Sequence, residues 1–351
     1  MNDTMRLGVL GCGDFLRWQE SLISGSKKVH VTKFFDPDFA RASAWASKMG
    51  GTAAKSAEEI LDDPEVDMVA LFVPPWVRKA QMLHAAAVGK QIITTKPLAP
   101  NPAEAREIVA AVDGKVRCGV LYSRSNDSWM MTVSDILRSG KYGQLALYRQ
   151  DWMHHYPQWN NWALDPEKNG GPFMDAMIHN LNAARHLMGR PITGKSWFSQ
   201  NLAHPELRCA DTESMTLSFE DRGAALLFIT WAADLESRSK EGNDREHIDL
   251  FYLVTSQGWR ITKEWQDGSP VVRLSKEGKH EIVPAIPIAE TVYDRFVGAI
   301  RSGGANPSDL PDVRDALVDI ELCSGKLKVW TGEVPVTPLA EAVEATRHYE
   351  R

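Results

Sequence analysis

The sequence predicts two domains of different class: an α/β domain built on a parallel sheet with helices on both faces, then an α+β domain with a large, mostly antiparallel open sheet. Three observations carry this. Through the first third, strand-sized apolar runs alternate with helical segments at the spacing of βαβ units. After about Tyr122 that rhythm stops, and residues 195–273 read mostly as strands punctuated by turn sequences such as Asp221-Arg222-Gly223. The chain has 351 residues, 43% of them hydrophobic, which is long for one domain and ample for two cores. The boundary falls between 122 and 123, and the C-terminal helix is free to pack back on the first domain.

In chain order, strands are expected at 7–10, 29–35, 66–73, 91–95 and 116–122. Helices are expected between them at 15–23, 39–49, 77–88 and 103–112. The second helix starts just after the Asp36-Pro37-Asp38 turn, Pro74-Pro75 bounds the third strand, and Gly89 stops the third helix. Beyond 122 come a helix at 129–139 stopped by Gly140, a strand at 144–152, a loop rich in His, Trp and Asn, and a helix at 173–188 capped by Gly189. Final helices are expected at 288–301 and 311–327. The long sheet carries apolar positions such as Leu217, Phe219, Leu227, Ile229 and Trp231 and needs a cover on its second face, which a partner subunit in a homodimer or homotetramer would supply.

Composition narrows the function. A formal net charge of -6 and a pI of about 6.0 argue against nucleic acid or an anionic membrane surface as the main partner. The longest apolar runs are strand-sized, short of the roughly 18 residues a membrane span needs. Met5-Arg6-Leu7-Gly8-Val9-Leu10 reads as a buried strand rather than a secretory segment. Cys12, Cys118, Cys209 and Cys323 lie far apart without a CxxC pair, so neither a zinc site nor a disulfide framework is expected and a reducing, cytoplasmic setting fits.

The first strand runs into Gly11-Cys12-Gly13-Asp14-Phe15-Leu16. The first glycine permits the tight turn and the second lets a pyrophosphate approach the backbone at a helix N-terminus. Leu16 stands where the fingerprint has its third glycine, so a plain βα turn is the alternative. The context is that of a Rossmann dinucleotide site, because Asp36 ends the second strand near the expected spacing. A carboxylate there accepts from the two hydroxyls of a free ribose and repels a 2′-phosphate, which points to NAD; the alternative for Asp36 is a helix cap.

From that loop onward the chain resembles the glucose-fructose oxidoreductase / inositol dehydrogenase (Gfo/Idh/MocA) family over nearly its whole length. The resemblance rests on Gly-Cys-Gly with Asp36, on Val73-Pro74-Pro75, on Ala87-Val88-Gly89-Lys90-Gln91-Ile92 and on Thr95-Lys96-Pro97-Leu98-Ala99. It continues through Arg138-Ser139-Gly140-Lys141-Tyr142-Gly143, Gly170-Gly171, Asp175-Ala176-Met177-Ile178-His179 and Phe296-Val297-Gly298-Ala299-Ile300-Arg301-Ser302-Gly303. Three departures stand out: Thr95 replaces the usual Glu before the lysine, Asn182 replaces the usual Asp three residues after the histidine, and Arg78 sits where many members have His.

The resemblance implies NAD as cofactor, held by Gly11, Cys12, Gly13, Asp14, Phe15, Asp36, Pro74, Trp76 and Lys96. It makes Lys96, Asp175 and His179 catalytic: His179 as the general base for a hydroxyl proton, Lys96 steadying the oxyanion, Asp175 holding the substrate. Without it, Lys96 reads as a surface lysine, whereas for the Asp175/His179 pair a core histidine with a helix N-terminal acid is the alternative. The spacing itself puts Asp175 and His179 on one helix face, with Asn182 and His186 continuing the stripe. A metal site from Asp175, His179, His154 and His155 matches no known spacing, so no metal is expected. The stretch His154-His155-Tyr156-Pro157-Gln158-Trp159-Asn160-Asn161-Trp162 suits a polyhydroxylated ring, with Trp152, His155 and Trp162 as substrate contacts; packing at a loop or dimer interface is the alternative. Arg124 and Asn126 are further substrate candidates, Arg124 as a reader of a carboxylate or as an interface salt bridge.

The expected function is hydride transfer between NAD and a hydroxyl or carbonyl carbon of a sugar, polyol or derivative. A redox-neutral, NAD-dependent glycoside hydrolase of the same fold and a non-catalytic NAD-bound sensor are the alternatives.

Overall fold

A computed structural model describes residues 4–157, 161–233 and 248–324. The first unit is a six-stranded sheet of β1 (Met5–Leu10), β2 (Val29–Phe35), β3 (Thr52–Ala53), β4 (Met68–Leu71), β5 (Gln91–Thr95) and β6 (Cys118–Leu121). Its order is β3-β2-β1-β4-β5-β6 and every pairing is parallel. The connecting helices are α1 (Asp14–Ser24), α2 (Phe39–Met49), α3 (Glu58–Leu61), α4 (Pro75–Ala87) and α5 (Pro102–Val112). Local chemistry starts them where expected: Asp38 accepts from Ala40 N–H and Arg41 N–H at the head of α2, and Asn101 accepts from Glu104 N–H at the head of α5. The two-residue β3 and four-residue α3 were not anticipated, because neither is long enough to show a period. The strand order reverses at β1, so the cleft beyond the C-terminal ends of β1 and β4 is where such a sheet binds ligands.

The second unit contains α6 (Ser128–Arg138), β7 (Leu145–Met153), a 3₁₀ turn (Asn161–Leu164), a π turn (Phe173–Met177) leading into α7 (Ile178–Met188), and then β8 (Ile192–Gln200), β9 (Thr212–Phe219), β10 (Gly223–Thr230), β11 (Ile248–Thr255), β12 (Arg260–Gln266), β13 (Ser269–Lys276) and β14 (Lys279–Pro284). These strands form one sheet in the order β14-β13-β12-β11-β7-β10-β9-β8. The β7–β10 pair is parallel and the other pairs are antiparallel. The chain closes with α8 (Val292–Ser302) and α9 (Val313–Cys323). Both return to the first unit. Val292, Phe296 and Val297 of α8 join the cluster of Leu7, Val9 and Phe34 on one face of the parallel sheet, and Val313, Ala316 and Ile320 of α9 join that of Leu71, Ile92 and Ile108 on the other. The expected end of the last helix at 327 lies outside the described residues.

The named sheet positions turn out to face inward. Leu217, Phe219, Leu227, Ile229 and Trp231 are buried, the first four in the cluster covered by α6 and α7. The second face is a different set: the pairing registers place Phe198, Ser214, Phe228, Asp151 and Leu250 in one row across five strands, with Phe198 and Leu250 exposed.

Candidate active site

The nucleotide loop leaves β1 at Gly11, whose φ is +94° and whose added Cβ would lie 2.6 Å from the Phe72 carbonyl oxygen, so only glycine fits. Gly13 differs: a Cβ there would meet nothing within 4 Å, and Gly13 caps α1 without a side-chain bond. That leaves an uncapped helix N-terminus facing open space, which fits a pyrophosphate. Leu16, in the third glycine position, is fully buried in the first-domain core. Phe15 packs edge-on against Phe72 at the end of β4. Asp36 closes the loop: its Oδ2 accepts from Cys12 N–H at 2.9 Å and its Oδ1 from Asp38 N–H at 2.9 Å, with Arg41 at 3.5 Å. Asp38, not Asp36, caps α2, so the capping alternative for Asp36 falls away. Pro74 precedes α4, and Trp76 in its first turn meets Trp162 of the 3₁₀ turn edge-to-face at 5.4 Å, joining the two units across the cleft.

Lys96 follows β5 in a cis Lys96–Pro97 peptide, and its Nζ donates to the backbone carbonyl of Asp175. Burial lowers its pKa from the ordinary lysine value; Arg78 acts in the same direction and Asp175 against it. His179 lies in the first turn of α7. Its Nδ1 accepts from Ser123 N–H at 2.9 Å, and its ring meets Tyr122 edge-to-face at 6.0 Å. Burial, with Lys96 next, holds its pKa well below the ordinary histidine value. Lys96, Asp175 and His179 thus converge at the C-terminal end of the parallel sheet, although they come from two units.

One element differs from expectation. The helix expected at 173–188 begins as a π turn, in which Ile178 N–H donates to Phe173 O. Its start is clamped from below: Phe173 N–H donates at 2.7 Å to Glu213, a buried carboxylate of β9 that also accepts from Ser199 at 2.9 Å and that burial pushes up to about 7. Asn169 donates to the Asp175 carboxylate at 3.4 Å. Sequence reasoning missed Glu213, yet it sits in the inward phase of β9 with Met215, Leu217 and Phe219, and an acid in that phase is a readable signal. Ser123 was missed because it contributes only a backbone N–H, which no residue pattern reports.

One turn further along α7, Asn182 is a bridge. Its Oδ1 accepts from Arg124 at 2.7 Å while its Nδ2 donates to Asp315 at 3.0 Å and Asp319 at 2.7 Å. An amide can accept and donate at once, whereas an aspartate would add a third carboxylate here. Arg124 is buried and also donates to Ser308 O, so its guanidinium is engaged at the junction between units. Asn126, in the left-handed region at φ 64°, donates its backbone N–H to Asp309 at 2.8 Å. Trp152 packs edge-on against His154 at 5.1 Å, and His155 lies over Tyr156 at 4.2 Å with His204 at 5.7 Å. Gln158, Trp159 and Asn160 lie outside the described residues. Among the described residues no three His, Cys, Asp or Glu side chains are grouped to hold a metal, and no helix is long and apolar enough to cross a membrane. A 670 Å³ cavity is bordered by Arg124, Arg185, His186 and Asn306, and neither Lys96 nor His179 lines it.

Family models match both halves of the chain. Residues 5–122 match the model of an oxidoreductase family with an NAD-binding Rossmann fold, and residues 130–269 match that of the GFO/IDH/MocA C-terminal domain. A 1,5-anhydro-D-fructose reductase of Ensifer adhaerens is 28% identical over 52% of this chain and 56% of its own length. An inositol 2-dehydrogenase of Arthrobacter sp. (strain FB24) is 28% identical over 55% of this chain and 57% of its own. The matched stretch spans between about half and two thirds of the curated relatives that align first. The aldose-aldose oxidoreductase of Caulobacter crescentus, solved with glycerol, superposes with a TM-score of 0.76 at 16% identity, covering 99% of this chain and 98% of that one, which shows the shared fold.

Proposed function

Because the chain belongs to the Gfo/Idh/MocA oxidoreductase family, with an NAD-binding N-terminal domain, we propose that it transfers hydride between NAD and a hydroxyl or carbonyl carbon of a sugar, polyol or sugar derivative. The observation that carries the reading is the convergence of Lys96, Asp175 and His179 beside the nucleotide loop. Gly11, Gly13 and Asp36 would hold the cofactor, with Cys12, Asp14, Phe15, Pro74 and Trp76 around it; when bound, it supplies the hydride acceptor or donor. The chain's own residues handle the proton: Lys96 and His179 meet the reacting oxygen, and Asp175 holds a neighbouring hydroxyl. Trp162 and the Trp152–His155 segment offer flat faces for the ring. The Arg124 guanidinium is engaged within the protein, which favours its interface role over substrate contact, while Asn126, whose bond to Asp309 comes from its backbone N–H, stays a substrate candidate. Redox-neutral glycoside cleavage needs a second acid–base pair, for which His154, His155 and Tyr156 are the candidates; His155 lies tilted over Tyr156, and both meet His204 edge-on.

The test combines calorimetry with NAD and NADP and an assay with NAD against sugars, polyols and glycosides, following nicotinamide absorbance and sugar release together. Tighter NAD binding and a lasting absorbance change are expected. NADP binding as tightly would contradict the role given to Asp36. Sugar release without lasting NADH would establish the hydrolase, and absence of any turnover the sensor.

The open sheet face supports a homodimer or homotetramer, because exposed Phe198 and Leu250 in one row with Phe228 need cover. Light scattering at micromolar concentration is expected to show the oligomer, and a monomer alone would contradict it. The four free cysteines suit a reducing, cytoplasmic location.

A further inference from the structure

Arg78 is a buried cation with no anion paired to it among the described residues. It is 1% exposed; one guanidinium nitrogen donates to Thr95 O at 2.6 Å and to Pro97 O, the other to Val73 O at 2.7 Å, and Nε has no partner. All three acceptors are neutral carbonyls. They flank Lys96 on both sides and tie its turn to the end of β4. Burial pulls the guanidinium down to about 9, which still leaves it charged at neutral pH. The neighbouring position carries no charge either, since Thr95 Oγ1 donates to Leu121 O.

The groups facing Lys96 are therefore Arg78 from α4, Asp175 from the π turn and His179 from α7. Burial is the largest influence on Lys96 and lowers its pKa; Asp175 comes next and raises it, and Arg78 follows and lowers it, while Asp175 places its carbonyl on Lys96 and its carboxylate on Asn169. His179 is constrained on its other side. With Ser123 N–H directed at Nδ1, that nitrogen must be unprotonated, so the neutral ring carries its proton on Nε2 and offers a donor rather than a base there.

We propose that Arg78 is a positioning residue that keeps Lys96 as the neutral amine, so that Lys96 Nζ takes the substrate hydroxyl proton while His179 Nε2–H holds the same oxygen. The substrate O–H bond breaks, an N–H bond forms on Nζ, and the electron pair stays on oxygen as an alkoxide in the His179 hydrogen bond. Lys96 becomes an ammonium and afterwards returns its proton to water. This reverses the role that the resemblance implies for His179 and rests on the oxidoreductase reading above. A fixed cation beside a lysine favours the amine by charge repulsion, and a burial that excludes water strengthens the effect.

The test needs neither substrate nor turnover. Nitrogen-15 NMR of lysine- and histidine-labelled full-length protein follows the Lys96 amine, identified by its absence in Lys96→Met, and the His179 ring. In the unaltered protein the Lys96 midpoint is expected below the ordinary lysine value. Arg78→Gln is expected to move it upward and Arg78→Lys to restore it. At neutral pH, His179 is expected with Nε2 protonated and Nδ1 bare. An ordinary lysine midpoint in the unaltered protein, a measurement that needs no variant to fold, would overturn the proposal. So would an unmoved midpoint in Arg78→Gln, equal behaviour of the Gln and Lys variants, or a protonated Nδ1. If the titrations come out as expected while no sugar or polyol is turned over, the oxidoreductase reading alone fails.

Discussion

Lys96→Ala and His179→Ala are each expected to lower turnover by about 10²–10⁴-fold, the range for a well-placed acid–base group, while NAD affinity and fold persist. Lys96 contributes an amine at the cleft end of β5, and His179 the ring that Ser123 N–H orients. Neither contact is required to build a core, so the loss should fall on kcat. The pH profile separates the two. Lys96 must be neutral to accept a proton, so oxidation should fall as pH drops through its midpoint, which lies below the ordinary lysine value. His179 is held well below the ordinary histidine value, so it stays neutral across that range and adds no second limb near neutrality. Near-normal turnover in either variant would remove that residue from the mechanism.

Asp319→Ala is expected to cost about 3–5 kcal/mol of stability, the range for deleting one partner of a buried ion pair. Asp319 is fully buried and accepts from Arg185 at 2.6 Å and from Asn182 at 2.7 Å. Its removal leaves Arg185 only the half-exposed Asp315, at 2.7 Å, and strips Asn182 of one acceptor. Because α9 also packs on the first-domain core, the loss should loosen both units at once. Denaturant unfolding followed by tryptophan fluorescence and far-UV dichroism reads the change. Asp319→Asn, which keeps an acceptor but not the charge, should lose less. A cost for Asp319→Ala below about 1 kcal/mol, typical of an exposed pair, would show that the network is wet rather than buried.

The parts of this protein legible in its sequence are those decided by neighbours along the chain. Strand–helix alternation, the start of the second helix after Asp36-Pro37-Asp38 and the tight turn at Gly11 all depend on local geometry, and they fell within a few residues of expectation. The parts that tertiary structure alone decided depend on partners far apart in sequence. β10 is apolar in both phases, Gly223-Ala224-Ala225-Leu226-Leu227-Phe228-Ile229, so period two could not say which side is inside; packing under α6 and α7 settled it. A helical pattern does not announce the π turn at Phe173–Met177, whose first N–H is held by Glu213 forty positions away. The His179 tautomer is set by a backbone N–H of another strand end, and the lowered pKa of Lys96 first by burial, to which an arginine held on carbonyls of three separate residues adds. Residue identity names the groups that can do chemistry; burial and long-range hydrogen bonding determine which proton each of them carries.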